Sequence, residues 1–234
     1  MQPIWRRRWA ACAVGIACST VGLSGWSVEA AWPPVWLADR WSVVRVVSYP
    51  SDLAAILHTS EVEGSGFWLP NGDVVTCYHV VQNAHLWIDV QPYATPAYDV
   101  IHFHVAVADP AQDLAVLAPN AGWGGYTYWP VRLGNATGVG IGTPVAIEGH
   151  PWGGALAVQP GIYAGATRHA LVNGYGLLYH MLAIRGQAAP GDSGGPVFGA
   201  GGAVIGVAEA AGGGWTFAVP VNALQYLGVD GPGW

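Results

Sequence analysis

From about residue 42 onward, short apolar runs alternate with breaks rich in glycine and proline, and almost none of the runs keeps a helical period. WSVVRVVSY (41–49) is dense in β-branched residues and predicts a strand. EGSGFWL (63–69) and DVVTCYHVV (73–81) predict two more around PNGD, whose Asn-Gly pair suits a hairpin turn. HLWIDV (85–90) follows, and DVIHFHVAV (99–107) alternates strictly, as a half-buried strand does. DLAVLA (113–118) is a further strand, after which NAGWGGYTYW (120–129) breaks the pattern and reads as a connection between two subdomains. GTPVAIEGH, GALAVQPGIYAGA, LLYHMLAI, GPVFG, AVIGVAEA and WTFAVPV then continue the series, and only VNALQYLG (221–228) resembles a helix. Many short strands with regular turn signals predict an all-β fold, either a sandwich or a pair of barrels.

Composition narrows this further. The chain has 34 Gly and 17 Pro, which argues for many turns, while 13 Trp and 10 Tyr supply far more apolar surface than a disordered chain carries. The net charge of −6 excludes the electrostatic footprint of a nucleic-acid partner. Charged residues make up only 9% and Lys is absent, a balance that suits either an acidic medium or a compositional habit of the source. Arg6–Arg8 followed by an uncharged apolar run and SVEAAW reads as an export leader over 1–30, with Val28 and Ala30 fitting a cut before Ala31. The run is long for a leader, so an uncleaved membrane anchor is the alternative, and the membrane is a partner only in that case. Either way the body is expected outside the cytoplasm, secreted or periplasmic. Cleavage would remove Cys12 and Cys18 and leave Cys77 alone, so packing rather than a disulfide must stabilise the rest.

The chemistry gathers around PGDSGGPVF (190–198). A packed strand has no use for so much glycine, but a loop whose backbone N–H groups must crowd round something does. Nucleophilic catalysis by Ser needs a base, a group to orient that base and donors for the developing oxyanion. His79, at the end of DVVTCYHVV, and Asp113, in DPAQDLAVL, supply candidates for the first two. The N–H groups of Gly191 and Ser193 are candidates for the third, with Gly194 and Gly195 leaving the approach open. GDSGG also fits the G-x-S-x-G elbow of α/β-hydrolases, but that fold needs a His after the Ser, and the last His here is His180. His102 and His104 alternate onto one strand face; no Cys or third His stands nearby in sequence, so a half-exposed strand face is favoured over a metal site. No metal or cofactor is expected.

The order GSGFWL, VVTCYHVV, DPAQDLAVL, PVRLGNATGVGIGTPVAIEGHPWG, QPGIYAGATR, PGDSGGPVF, VIGVAEA, FAVPVN resembles chymotrypsin-fold serine proteases, and more closely the protease domain of the bacterial HtrA type. The resemblance runs from residue 42 to 222. It implies two antiparallel β-barrels with the site in the cleft between them, expected over 42–133 and 134–234 after an arm at 31–41, with a short helix near the C-terminal end. Carried over, His79 is the general base, Asp113 orients it, Ser193 attacks, and Gly191 and Ser193 form the oxyanion hole. Gln187, Glu209, Ala210 and Ala211 fall in the region lining the primary specificity pocket. With no acid at Gln187, a small or medium apolar residue is expected before the scissile bond.

Departures from the family matter too. With the sequence stopping at DGPGW, no PDZ module is expected after the protease segment. Asp192 stands where HtrA proteases carry Asn; digestive relatives pair such an Asp with a newly cut amino terminus, but no matching activation site is present, so Asp192 is expected to cap the loop. Glu209 puts an acid where relatives carry a neutral residue. The expectation is an exported serine endopeptidase that acts on peptides or unfolded proteins without zymogen cleavage. The alternative is a degenerate homologue that only binds peptide or protein, and intact His79, Asp113 and Ser193 favour the enzyme.

Overall fold

The computed structural model describes residues 40–59, 61–93, 100–122, 126–172 and 176–233, so the expected leader and nearly all of the arm lie outside the described residues. Six strands form the first barrel: β1 (Val43–Ser48), β2 (Val62–Trp68), β3 (Val74–Cys77), β4 (Ile88–Pro92), β5 (Ile101–Asp109) and β6 (Leu114–Pro119). All pairings are antiparallel, in the order β1-β2-β3-β6-β5-β4, and β4 closes onto β1. Closure leaves no free edge, which suits strands so apolar. Val43, Val46, Phe67, Trp68, Phe103, Leu114 and Leu117 are fully buried here.

A second closed barrel uses β7 (Pro144–Gly149), β8 (Ala157–Ala166), β11 (Leu182–Arg185), β12 (Pro196–Phe198), β13 (Val204–Gly212) and β14 (Trp215–Pro220), in the order β11-β14-β13-β12-β7-β8. Its core includes Val145, Ile147, Leu182, Ile184, Val197, Ala208 and Ala218. β9 (His169–Val172) and β10 (Gly176–Tyr179) form a separate hairpin. The run LLYHMLAI therefore divides into two strands, and His180 makes the break in a left-handed conformation (φ 56). Between the barrels the connection is pinned at both ends: the Val131 N–H donates to the Trp68 carbonyl (3.0 Å) and the Gly134 N–H to the Val204 carbonyl (2.8 Å).

Helix is scarce but not confined to the C-terminal end. VNALQYL (Val221–Leu227) is a 3-10 helix closed by Gly228 in the left-handed region (φ 78). α1 (Asp52–Leu57) was not foreseen; the Ser51 hydroxyl accepts from the Ala54 N–H (3.1 Å), and Asp52 stands in the first turn, so its start signals were present in SDLA. α2 (Tyr78–Val81) interrupts the expected strand DVVTCYHVV just after Cys77. Among the described residues Cys77 is the only cysteine, free and fully buried, and the barrels are held by packing.

Candidate active site

The single turn of α2 lifts His79 off the end of β3, and Asp113 fixes it from the start of β6. Asp113 Oδ1 accepts from the His79 backbone N–H (2.7 Å), and Oδ2 lies 2.5 Å from His79 Nδ1. One carboxylate thus clamps both the ring and the turn that carries it. The Asp113 carbonyl also accepts from the Tyr78 N–H (3.0 Å). Asp113 has φ 53, a left-handed conformation that Asp tolerates better than most residues and that the surrounding bonds hold in place.

Ser193 arrives from the second barrel on the loop before β12. Its hydroxyl donates to the Glu209 carbonyl (3.1 Å). Each carbonyl around it is engaged: Pro190 accepts from the Trp152 N–H (2.6 Å), Gly191 from the Ser65 hydroxyl (2.7 Å), Asp192 from the Gly195 N–H (2.9 Å) and Ser193 from the Ser65 N–H (2.8 Å). The N–H groups of Asp192 and Gly194 are also used, by the Ala189 and Ala208 carbonyls. Among the described residues, the N–H groups of Gly191 and Ser193 have no acceptor within the protein. Two donors left over in a loop whose Pro190, Gly191, Asp192 and Ser193 carbonyls are tied back are available to an incoming anion.

The glycines are also needed for close packing, at Gly194 above all. An added Cβ there would lie 2.2 Å from the Ser65 carbonyl oxygen and 2.4 Å from Thr76 Oγ1, and its φ is +88. At Gly191 (φ +97) an added Cβ would meet the His150 carbonyl oxygen at 2.4 Å. These glycines let the loop lie flush on the backbone of both barrels. Ser65 and Gln159, which hold this loop, were not foreseen. The only sequence signal for Ser65 is its position between two glycines within a strand, a mark of close backbone approach.

Beside Ser193 lies a cavity of about 170 Å³ that Gln187, Glu209, Ala210 and Ala211 line. Its wall bends where β13 bulges: Ala208 pairs with Ala218 and Ala210 with Phe217, which leaves Glu209 between them without a partner in register. The bulge turns Glu209 to the site. Burial pushes its carboxyl up to about 7, repulsion from Asp113 adds to this, and His79 opposes it. Cys77 is the third neighbour; its thiol donates to the Ala208 carbonyl (3.3 Å), and burial, with Asp113 and Glu209 close by, raises it well above its ordinary range. Cys77, His79 and Asp113 are also the one group among the described residues whose ligand atoms come within 4.8 Å of one another. The short His79–Asp113 bond occupies two of those three groups, so an ion would have to part them. His102 and His104 do not converge: Asp89 Oδ1 lies 2.9 Å from one ring, and Asn120 Oδ1 lies 2.8 Å from the other.

Comparison with known proteins bears on the family and the fold. The family described as a trypsin-like peptidase domain matches residues 64–207. A probable periplasmic serine endoprotease, DegP-like, of Brucella suis is 34% identical over 172 residues, covering 70% of this chain and 32% of that protein. The magnetosome formation protease MamE of Magnetospirillum gryphiswaldense is 31% identical over 186 residues, covering 73% of this chain and 22% of that one. The chain thus spans about a third or less of the length of these relatives. Among solved structures, the active form of the Rv3671c protease of M. tuberculosis superposes with a TM-score of 0.67 at 23% identity, covering 91% of this chain and 97% of that one, a likeness of fold. With its two closed barrels and a family match across 64–207, the chain belongs to the trypsin-like peptidase domain family, and DegP-like proteases are among its relatives.

Proposed function

We propose that the chain is an exported serine endopeptidase that cleaves peptide bonds through an acyl-enzyme. The observation that carries this reading is the pairing of a clamped His79 with a loop that has two unengaged N–H groups on either side of Asp192. In this reading Ser193 attacks the scissile carbonyl and His79 takes its proton. Asp113 holds the ring in the tautomer whose far nitrogen carries no proton and can accept one, and stabilises the imidazolium that forms. The developing oxyanion is bound by the Gly191 and Ser193 amides, and His79 then protonates the leaving amine. The oxyanion loop is tied back by the chain's own groups, which supports activity without zymogen cleavage.

The cavity beside Ser193 has alanine walls, Gln187 in place of an acid, and a Glu209 carboxyl that burial pushes toward its neutral form, which suits a small or medium apolar residue before the cut, in peptides or unfolded proteins. Export is supported by the leader-like sequence and by the printed description of the Brucella relative as periplasmic. One observation favours the second reading, a binding module on a degenerate site: the Ser193 hydroxyl donates to a carbonyl, which does not activate it, so attack requires it to turn to His79. Fluorophosphonate labelling of residues 31–234 across pH decides between them. Labelling that Ser193→Ala abolishes is expected; folded protein that stays unlabelled at every pH leaves the binding module.

A further inference from the structure

The carboxyl of Asp192, next to the candidate nucleophile, is completely buried. Burying a carboxyl without donors is costly, because the group gives up its hydrogen bonds to water with nothing in return. Here both donors meet one oxygen: Oδ2 accepts from the Ala189 N–H (2.7 Å) and from Gln159 Nε2 (2.9 Å). Oδ1 has no hydrogen-bond partner and lies against the backbone of β7, where a Cβ added to Gly149 would stand 2.6 Å from it. Burial pushes the Asp192 carboxyl up to about 6, while the two donors pull it down.

Glu148 and His150 are the titratable groups that flank Gly149 on the strand packed against Asp192; burial pulls the His150 ring down, and its Nδ1 lies 3.0 Å from the Gly154 carbonyl oxygen. Among the described residues no cation contacts Asp192. The side chain that reaches it from outside its own loop is Gln159, on β8 opposite Ile147 of β7.

We propose that Gln159 is a positioning residue: its amide holds Asp192, and through it the Gly191 and Ser193 N–H groups, in the competent orientation, with no amine from a cut chain end. This rests on the peptidase reading above. The physical logic is short. Asp192 is bonded within its own loop through Ala189, in both directions, so that loop could move as a unit. The Gln159 bond ties the unit to the barrel wall. Without it an ionised Asp192 keeps a single donor in a dry site and is drawn toward water, taking the neighbouring amides with it.

Two variants and a titration test this. Gln159→Leu is expected to lower kcat/KM at pH 8 by roughly 10- to 100-fold, the worth of one hydrogen bond to a buried charged group, with the loss in kcat and little change in KM. Gln159→Glu puts two carboxyls in contact that must share a proton, so its kcat/KM should stay within about threefold of the parent at pH 5.5 and fall below about a tenth of it at pH 8. A merely structural role would lower both values by the same factor. Independently of turnover, the Asp192 carboxyl ¹³C resonance should titrate at higher pH in Gln159→Leu than in the parent. A parent protein that never labels, with Asp192 still shifting, would sink the peptidase reading and leave the tie standing. An unmoved Asp192, or a folded Leu variant with parental kcat/KM, overturns the proposal. If the Leu variant does not fold, a Glu variant whose ratio to the parent is constant with pH does the same.

Discussion

In the first barrel His79 is fixed by a side chain, the Asp113 carboxylate on its ring and on its backbone, whereas in the second barrel Ser193 is fixed by main-chain carbonyls and amides tied to Ser65, Trp152, Gly195 and Ala208. Under the proposed function the contrast follows from what each half must present. A base needs one atom aimed and one tautomer selected, and a single bidentate partner on a rigid turn achieves both. An anion site needs several N–H groups converging, and only backbone that crosses other backbone closely supplies them. Substitutions should therefore act differently in the two halves. Side-chain changes in the first barrel remove chemistry and spare the fold, while added atoms in the second disturb the fold and the chemistry together.

The largest effect tests the chemistry alone. Ser193→Ala and His79→Ala should each lower kcat by roughly 10⁴-fold or more with near-parental melting, read by fluorophosphonate labelling and peptide turnover. Comparable losses of stability in both would break the division between the halves.

Next comes the crowded backbone. Gly194→Ala should cost about 3 kcal/mol or more in urea unfolding, from left-handed strain together with collision against the Ser65 carbonyl and Thr76. Gly142→Ala shares the positive φ (+88) but has nothing within 4 Å of its added Cβ, so about 1 kcal/mol is expected there. Equal costs would mean that close approach is not what these glycines are for.

The pH dependence of stability is smaller and has a definite sign. Glu209 and Asp192 are raised to about 7 and about 6 in the folded protein, from ordinary values of 4.5 and 3.8. Between pH 4 and 7 these two carboxyls therefore hold more protons in the native state than in the unfolded chain. The stability they contribute falls as pH rises through that window, against a smaller opposite contribution from His150, which burial pulls down. The penalty is at most roughly 3–3.5 kcal/mol per carboxyl, complete above the folded value. Thermal melts should rise from pH 8 to pH 5, and Glu209→Gln should flatten the slope and gain stability at pH 8. A melting temperature that is unchanged between pH 5 and 8 contradicts this. Ser65→Ala is expected to cost less than Gly194→Ala, about 1–2 kcal/mol, because the Gly191 carbonyl and the His150 N–H lose a shared hydroxyl but the Ser65 N–H bond to Ser193 stays.

Strand positions were legible because β-branched and aromatic runs such as SVVRVV leave little choice of conformation, and a glycine loop around Ser193 announced itself by composition. Pairing could not be read. Whether Gln159 faces Asp192, or Glu209 sits in a bulge, depends on strand register across a closed barrel, and no single run encodes that. α1 was missed for another reason: its Ala54 and Ala55 pack inward while Leu53, Ile56 and Leu57 stay exposed, the reverse of the pattern that signals a surface helix. α2 was missed because Val80 and Val81 favour strand, and the clamp from Asp113 thirty-four residues away overrides them.

The thiol of Cys77 sits at zero exposure, bonded across the cleft to the Ala208 carbonyl of the opposite barrel. A water-borne thiol reagent reaches it only when the structure around it opens, and parting of the two barrels breaks the Cys77–Ala208 bond that covers it. Because it is the only cysteine in the described body, the rate of its labelling acts as a clock for that opening, readable without substrate, nucleophile or turnover. A bound peptide that spans both barrels should slow the clock, so the protein carries its own gauge of how firmly a substrate holds the halves together.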